Sequence, residues 1–227
     1  MSNPTAIDPR HTALVIIDLQ NDFLAPDGAY ARGGAVSPAA QALPPRVAAV
    51  AKVLKAAGGM VVGSQFTLWP DAQGEPMVSP HLKALRPFLR RGDFAPGSTG
   101  QAHVPEIAPW VDVSVCKVAY SAFFNTQLDW VLRRAGITTV AVCGIVTNGG
   151  VASTVRDAHM RDYQTLVEMG HTPQLTIGPW VHVAPDLQKE SVFQTLAWMN
   201  AHLLGDATAH PEHPVRIHIS GLDAWRS

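Results

Sequence analysis

Cysteine is almost missing from this chain: Cys116 and Cys143 are the only two among 227 residues. A disulfide framework is therefore excluded. Both cysteines lie in apolar, strand-like runs, where buried and reduced thiols are expected. Charge is also scarce, at 15% of residues, and it nearly cancels to a net charge of -1. That leaves no basic footprint for nucleic acid and no polybasic patch for a membrane surface. No apolar run approaches the roughly 20 residues of a membrane span, and the first residues lack the charged start and apolar core of a secretory signal. A cytoplasmic location is the expectation. The ten histidines fall in no metal-ligand spacing, so neither a metal nor another cofactor is expected. His210 and His213 sit in a polar, proline-flanked connector and read as solvated. Internal repeats and low-complexity tracts are absent.

What the chain does have is a regular alternation of short apolar runs and helical patterns. Residues 13–17 (ALVII), 60–64, 111–116, 138–143 and 164–167 read as strands buried on both faces of a parallel sheet. Between them, residues 39–57 repeat Val47, Val50, Ala51 and Leu54 at helical spacing, and Gly58 and Gly59 stop the helix. Residues 127–135 and 187–204 read as further helices. Residues 68–109 carry too many prolines for long helices, apart from a turn or two within 81–91. So long an irregular connection is usually functional, and it is expected to cover the site. Residues 215–219 (VRIHI) are expected to add an edge strand. The alternation predicts an α/β fold, a doubly wound three-layer sandwich around a mostly parallel sheet. Residues 1–10 form an arm, 11–205 the domain, and 206–227 a C-terminal extension.

Ligands of such sheets sit beyond the carboxyl ends of the strands. Asp18, Gln65 and Lys117 each follow an apolar strand. The run VAVCGIVTNGGVASTVRD, residues 140–157, reads as strand, tight turn and helix start. Its turn, with Gly149 and Gly150, directs backbone amides and a helix dipole at one spot. An acid, an amide, an amine and backbone donors thus meet at one edge. Each residue also has a plainer reading: Asp18 as a cap, Gln65 as a polar strand end, Lys117 as a solvated amine, Tyr120 as core, and the glycines as an ordinary connection.

Four segments carry a family likeness: ALVIIDLQNDFL at 13–24, FAPGSTGQAHVPEI at 94–107, KVAYSAFFNTQLDWVLRRAGI at 117–137 and VAVCGIVTNGGVASTVRDA at 140–158. With them the chain resembles the isochorismatase-like hydrolase superfamily, which includes isochorismatases, nicotinamidases and N-carbamoylsarcosine amidases. The resemblance implies a Rossmann-like fold and a homo-oligomer, a dimer or tetramer, acting on a small molecule. It implies catalytic roles for Asp18 and Lys117, and it puts the nucleophile of the cysteine-hydrolase branch at Gly150. The branch's non-proline cis peptide falls on Val146–Thr147. Gln65, Tyr120, Phe123, Val146, Thr147, Asn148 and Gly149 are then substrate-binding positions.

Glycine also stands at this position in the isochorismatase branch. There an acid protonates a vinyl ether carbon and water attacks the resulting cation, with no nucleophilic side chain. By that likeness Asp18 is the acid, Lys117 orients it and binds a substrate carboxylate, and Gly150 leaves room for substrate. Thr147–Asn148 instead resembles the cysteine-hydrolase turn, and the acidic residue usual after the fifth strand is replaced by Glu168–Met169–Gly170–His171. The metal ligands of some nicotinamidases are missing, with only Asp71 near and His81 too far along. Three readings stay open: a nucleophile-free hydrolase of a small carboxylated substrate, a C–N hydrolase lacking its thiol at Gly150, natural or engineered, and a non-catalytic metabolite-binding member. Phe66, Trp69, Phe94 and Phe123 are candidate apolar walls.

Overall fold

A computed structural model describes residues 7–165 and, beyond them, the backbone of three strands at 175–177, 215–219 and 224–226. The chain divides into two compact units, Met1–Met169 and Gly170–Ser227.

The first unit is built on β1 (Thr12–Ile17), β2 (Met60–Phe66), β3 (Val113–Lys117) and β4 (Thr139–Gly144), all parallel, in the order β3-β2-β1-β4. Every residue of β1 is buried, as its unbroken apolar run requires of a strand covered on both faces. Side-chain alternation sorts the sheet into two cores. Val15, Ile17, Val62 and Val115 face α6 (Leu128–Arg134) and α7 (Ala152–His159), through Leu128, Leu132 and Ala158. Leu14, Ile16 and Val61 face α4 (Pro44–Ala56), through Val47 and Ala51. This is the expected three-layer α/β/α arrangement.

The helix expected over 39–57 is split into a short α3 (Pro38–Gln41) and α4. Pro44 and Pro45 have no amide to donate, so a helix starts on them and cannot run through them. Short turns of helix at α1 (Asn21–Leu24), α2 (Ala29–Arg32) and α5 (Pro80–Leu85) punctuate the irregular segments. Of the fifth strand expected at 164–167, Gln164 forms a parallel bridge to Thr139 on the β4 edge. Residues 166 and 167 lie outside the described residues, as do the arm's first six and the helix expected over 187–204.

In the second unit β5 (Leu175–Ile177) pairs in parallel with β6 (Val215–Ile219), which pairs antiparallel with β7 (Ala224–Arg226). The VRIHI segment is thus a strand, but the middle one of its own three-stranded sheet, not an added edge. Among the described residues no helix is long and apolar enough to cross a membrane.

Candidate active site

Asp18 is the first residue past β1, and its backbone is left-handed, with φ 57°. Asp tolerates that region better than most residues, and such conformations gather at functional sites. The Gln20 amide donates to the Asp18 carbonyl at 2.9 Å, closing a tight turn. The carboxylate is held from two sides. Lys117 Nζ lies 2.7 Å from Oδ2, and Ser64 Oγ donates to Oδ1 at 2.7 Å. Lys117 also donates to the Ala119 carbonyl at 2.9 Å. Asp18 is 6% exposed and Lys117 2%, so the pair sits in a poorly screened environment. Burial pushes the Asp18 carboxyl above the ordinary carboxylate range, and the Lys117 charge and the Lys117 and Ser64 hydrogen bonds pull it only partly back.

Sheet register explains which side chains meet. Ile17 pairs with Ser64, and Phe66 with Lys117. Ser64, Phe66 and Lys117 therefore share one face. Gln65 pairs with Cys116 and belongs to the other face. Gln65 is also inside β2 rather than after it, and its Nε2 donates to the Gln101 carbonyl at 3.1 Å. The alternation that turns Cys116 from Lys117 turns Gln65 from it too. Ser64 is the contact that strand-end reasoning overlooked. Its signal was a lone hydroxyl among apolar residues, one position before Gln65.

The residues after Asp18 pin the irregular 94–104 segment. Gln20 Nε2 donates to the carbonyls of Phe66 and Gln101, at 2.9 and 2.8 Å, and its Oε1 accepts the Phe66 amide at 2.7 Å. Asn21 Nδ2 donates to the Thr99 carbonyl. Asp22, 5% exposed, accepts the amides of Ala29 and Phe94. These polar residues are buried because the loops they hold need partners for their backbone groups.

The glycine-rich turn stands beside Asp18's neighbour. Gly144 has φ 120°, and a Cβ there would meet the Ile17 carbonyl oxygen at 2.1 Å, so only glycine fits. The Ile145 amide donates to that carbonyl at 3.0 Å. The cis peptide joins Ile145 and Val146, one residue earlier than expected. Thr147–Val151 form a single wide π-type turn that leads into α7. Two amides expected to be free are engaged here, since Gly149 and Val151 both donate to the Val146 carbonyl, at 3.1 and 3.3 Å. Val146, Thr147 and Asn148 are exposed, while Gly149 and Gly150 are buried. Tyr120, 65% exposed, lies over Gly149, 3.2 Å from where its Cβ would stand. At Gly150 a Cβ would sit 2.7 Å from Ile17 Cγ2 and 3.1 Å from the Ile145 carbonyl oxygen. The space expected to be open is thus filled on the side-chain side. Thr154 Oγ1 donates to the Gly150 carbonyl at 2.7 Å and accepts the Ala122 amide at 3.0 Å, tying the turn to the Tyr120 segment.

Phe123 is 5% exposed and packs in the core against Tyr163. Phe94 is fully buried against Phe23 and Phe66. Phe66 and Trp69, which lie outside the four segments of family likeness, line a cleft of about 250 Å³. Neither cysteine stands with the pair. Cys116 is exposed, against expectation, because β3 is an edge strand, and Gln101 Nε2 lies 3.6 Å from its Sγ. Burial pushes the Cys143 thiol up to about 12, which leaves little thiolate at neutral pH. Among the described residues no group of three or more His, Cys, Asp or Glu could hold a metal ion.

The arrangement can hold, donate and recover a proton beside a small polar substrate. The isochorismatase domain family matches residues 12–169. The ureidoacrylate amidohydrolase RutB of Caulobacter vibrioides is 34% identical over 171 residues, covering 70% of this chain and 76% of that one. RutB of Methylobacterium radiotolerans is 33% identical over 181 residues, covering 75% and 70%. A cysteine hydrolase structure from Pseudomonas syringae pv. phaseolicola superimposes with a TM-score of 0.58 at 26% identity, covering 87% of this chain and 91% of that one. The N-carbamoylsarcosine amidase of Thermoplasma acidophilum shares the fold, with a TM-score of 0.54 at 23% identity. A domain match that takes in β1, the Asp18–Lys117 pair and the glycine turn, together with these relatives, makes this chain a hydrolase of the isochorismatase family.

Proposed function

We propose that the protein hydrolyses a small carboxylated substrate with Asp18 as general acid and base, Lys117 as its charged partner, and water in place of a thiol nucleophile. The observation that carries this reading is the absence of a usable thiol beside a buried, protonatable carboxyl. Position 150, where the family resemblance puts the nucleophile, is glycine with Ile17 Cγ2 in the way. The chain's two cysteines are a poorly ionised strand thiol and one on the opposite sheet face from Lys117.

An acid without a nucleophile suits substrates that become electrophilic on protonation alone. Enol ethers and enamides do so. Relatives named for ureidoacrylate suggest the enamide case, in which a ureido nitrogen is attached to an alkene conjugated with a carboxylate. Asp18 would give its proton to the alkene carbon next to the carboxylate. Water would add to the carbon bearing nitrogen and return a proton to Asp18. The C–N bond would then break, with Asp18 protonating the departing nitrogen and taking the proton of the new hydroxyl as the carbonyl forms. The products are urea and an aldehyde acid, and one water is consumed. The exposed Val146, Thr147 and Asn148, with Gly149 and Tyr120, would line the entrance. Gln65 and Phe123 are left out of this reading, the first by its sheet face and the second by its burial.

Product analysis with ureidoacrylate tests the reading. Release of urea, unaffected by prior alkylation of the thiols, is expected. Release of ammonia or carbamate, or loss of turnover on alkylation, would contradict it. A second reading, attack at the carbonyl in the manner of an amidase, is favoured by Thr147–Asn148 and by the amidohydrolase relatives. It predicts the carbonyl-side products and a large gain on Gly150→Cys.

A further inference from the structure

The pair's aromatic neighbour also borders a cleft. The Phe66 ring stands with its centroid 5.7 Å from Lys117 Nζ, and the same residue lines the 250 Å³ cleft. The cleft's other apolar walls include Leu68, Trp69, Met77, Leu82 and Val118. Val118 directly follows Lys117, and the Thr67 amide donates to the Lys117 carbonyl at 2.9 Å, so cleft and pair share backbone. Trp69, Met77 and Val118 are 50%, 60% and 52% exposed, an unusual concentration of uncovered large apolar groups. The polar groups in the lining are already engaged. Thr67 Oγ1 donates to the Gln65 carbonyl and accepts from Gln101 Nε2, and Ser79 Oγ accepts the Leu82 amide. What the cleft offers a ligand is apolar contact. An apolar cavity of about 150 Å³ already holds a benzene ring.

We infer that this cleft seats an apolar arm of the substrate, of aromatic size, attached to the group that reacts at Asp18 and Lys117. The inference rests on the reading of that pair as the reacting centre. A bare ureidoacrylate can react at the pair but leaves the cleft empty, so the preferred substrates are small carboxylates bearing an aryl or branched alkyl substituent. Met77 suits this role, because an unbranched thioether adapts to differing shapes.

Calorimetric binding of 3-phenylpropanoate and propanoate to the full chain tests it. The aryl probe is expected to bind roughly tenfold tighter or more, from the buried ring area. Trp69→Ala and Leu82→Gln should each erase most of that ratio while leaving the thermal midpoint near the parent's. Asp18→Asn should keep the ratio even as it removes turnover, so failure of the cleft and failure of the catalytic reading are told apart. Equal affinity for the two probes, including no measurable binding of either, overturns the inference. So does an unchanged ratio in both cleft variants.

Discussion

The ammonium of Lys117 meets the carboxylate of Asp18 at 2.7 Å with both side chains almost sealed from solvent. The two residues are far apart in sequence and come together because β2 stands between the strands that carry them. Removing one partner of a buried pair leaves an uncompensated charge, at a cost of about 3–5 kcal/mol. Lys117→Met is therefore expected to be less stable by about that much at neutral pH, unless Asp18 takes up a proton instead. Urea unfolding at pH 7 and pH 5 separates these responses: proton uptake makes the variant's deficit smaller at the lower pH.

The pH–rate profile should bear the mark of burial at Asp18. Its carboxyl is raised above 3.8, chiefly by desolvation. The protonated acid therefore persists to higher pH than an ordinary aspartate's, and a step that needs it falls as pH rises through the raised value. Lys117 holds that value down, so a folded Lys117→Met enzyme should shift the falling limb upward. A limb that stays in place in the variant would assign the titration to another group.

His103 should make the fold sensitive to acid. It is buried beside Ser114, with Nε2 3.0 Å from Oγ and Nδ1 without a hydrogen bond. Burial holds its imidazole down at about 4, from 6.5. The unfolded chain takes up this proton first. Stability is therefore present above about 6.5 and is lost as pH falls towards 4, by on the order of 3 kcal/mol. Denaturant midpoints across that window, in the parent and in His103→Gln, check the slope. The variant should lose most of this part of the acid dependence.

Ile17 and Gly150 should be coupled. A Cβ at position 150 would stand 2.7 Å from Ile17 Cγ2. Gly150→Ala is expected to destabilise by about 1–3 kcal/mol through overpacking. Ile17→Ala should cost about 2–5 kcal/mol through its cavity. The double variant should lose less than the sum of the two, because each change relieves the other. Strict additivity in the unfolding free energies would show that the methyl and the glycine do not compete for space.

Gln20 should hold the 94–104 segment in place. Its amide spans the Phe66 backbone and the Gln101 carbonyl. Gln20→Ala leaves buried backbone groups unpaired, at about 1–3 kcal/mol. Limited proteolysis within 94–104 should accelerate while the overall fold persists.

Much of the fold was legible because unbroken apolar runs such as ALVII have few other homes than a parallel sheet. The acid and the amine were legible because each stands at the end of such a run. A position at a strand end does not say which face a side chain takes: Gln65 pairs with Cys116 and turns from Lys117, while Ser64, one residue earlier, faces the pair. Phe123 carried a family motif yet packs in the core, while Trp69 had no motif and lines the cleft. No local pattern reveals which aromatic a loop of many prolines leaves uncovered. The filled space at Gly150 was equally hidden, since a glycine states that no side chain is present but not what stands there instead.

The most direct measurement is turnover of ureidoacrylate, and of an enol-ether carboxylate, by the parent enzyme and by Asp18→Asn. The neutral amide keeps the shape of the acid and removes its proton. Loss of about 10²–10⁴-fold in kcat with the fold intact is the predicted result for either substrate that the parent turns over. An Asp18→Asn enzyme that keeps the parent's rate, or a parent that hydrolyses neither substrate, would contradict the account.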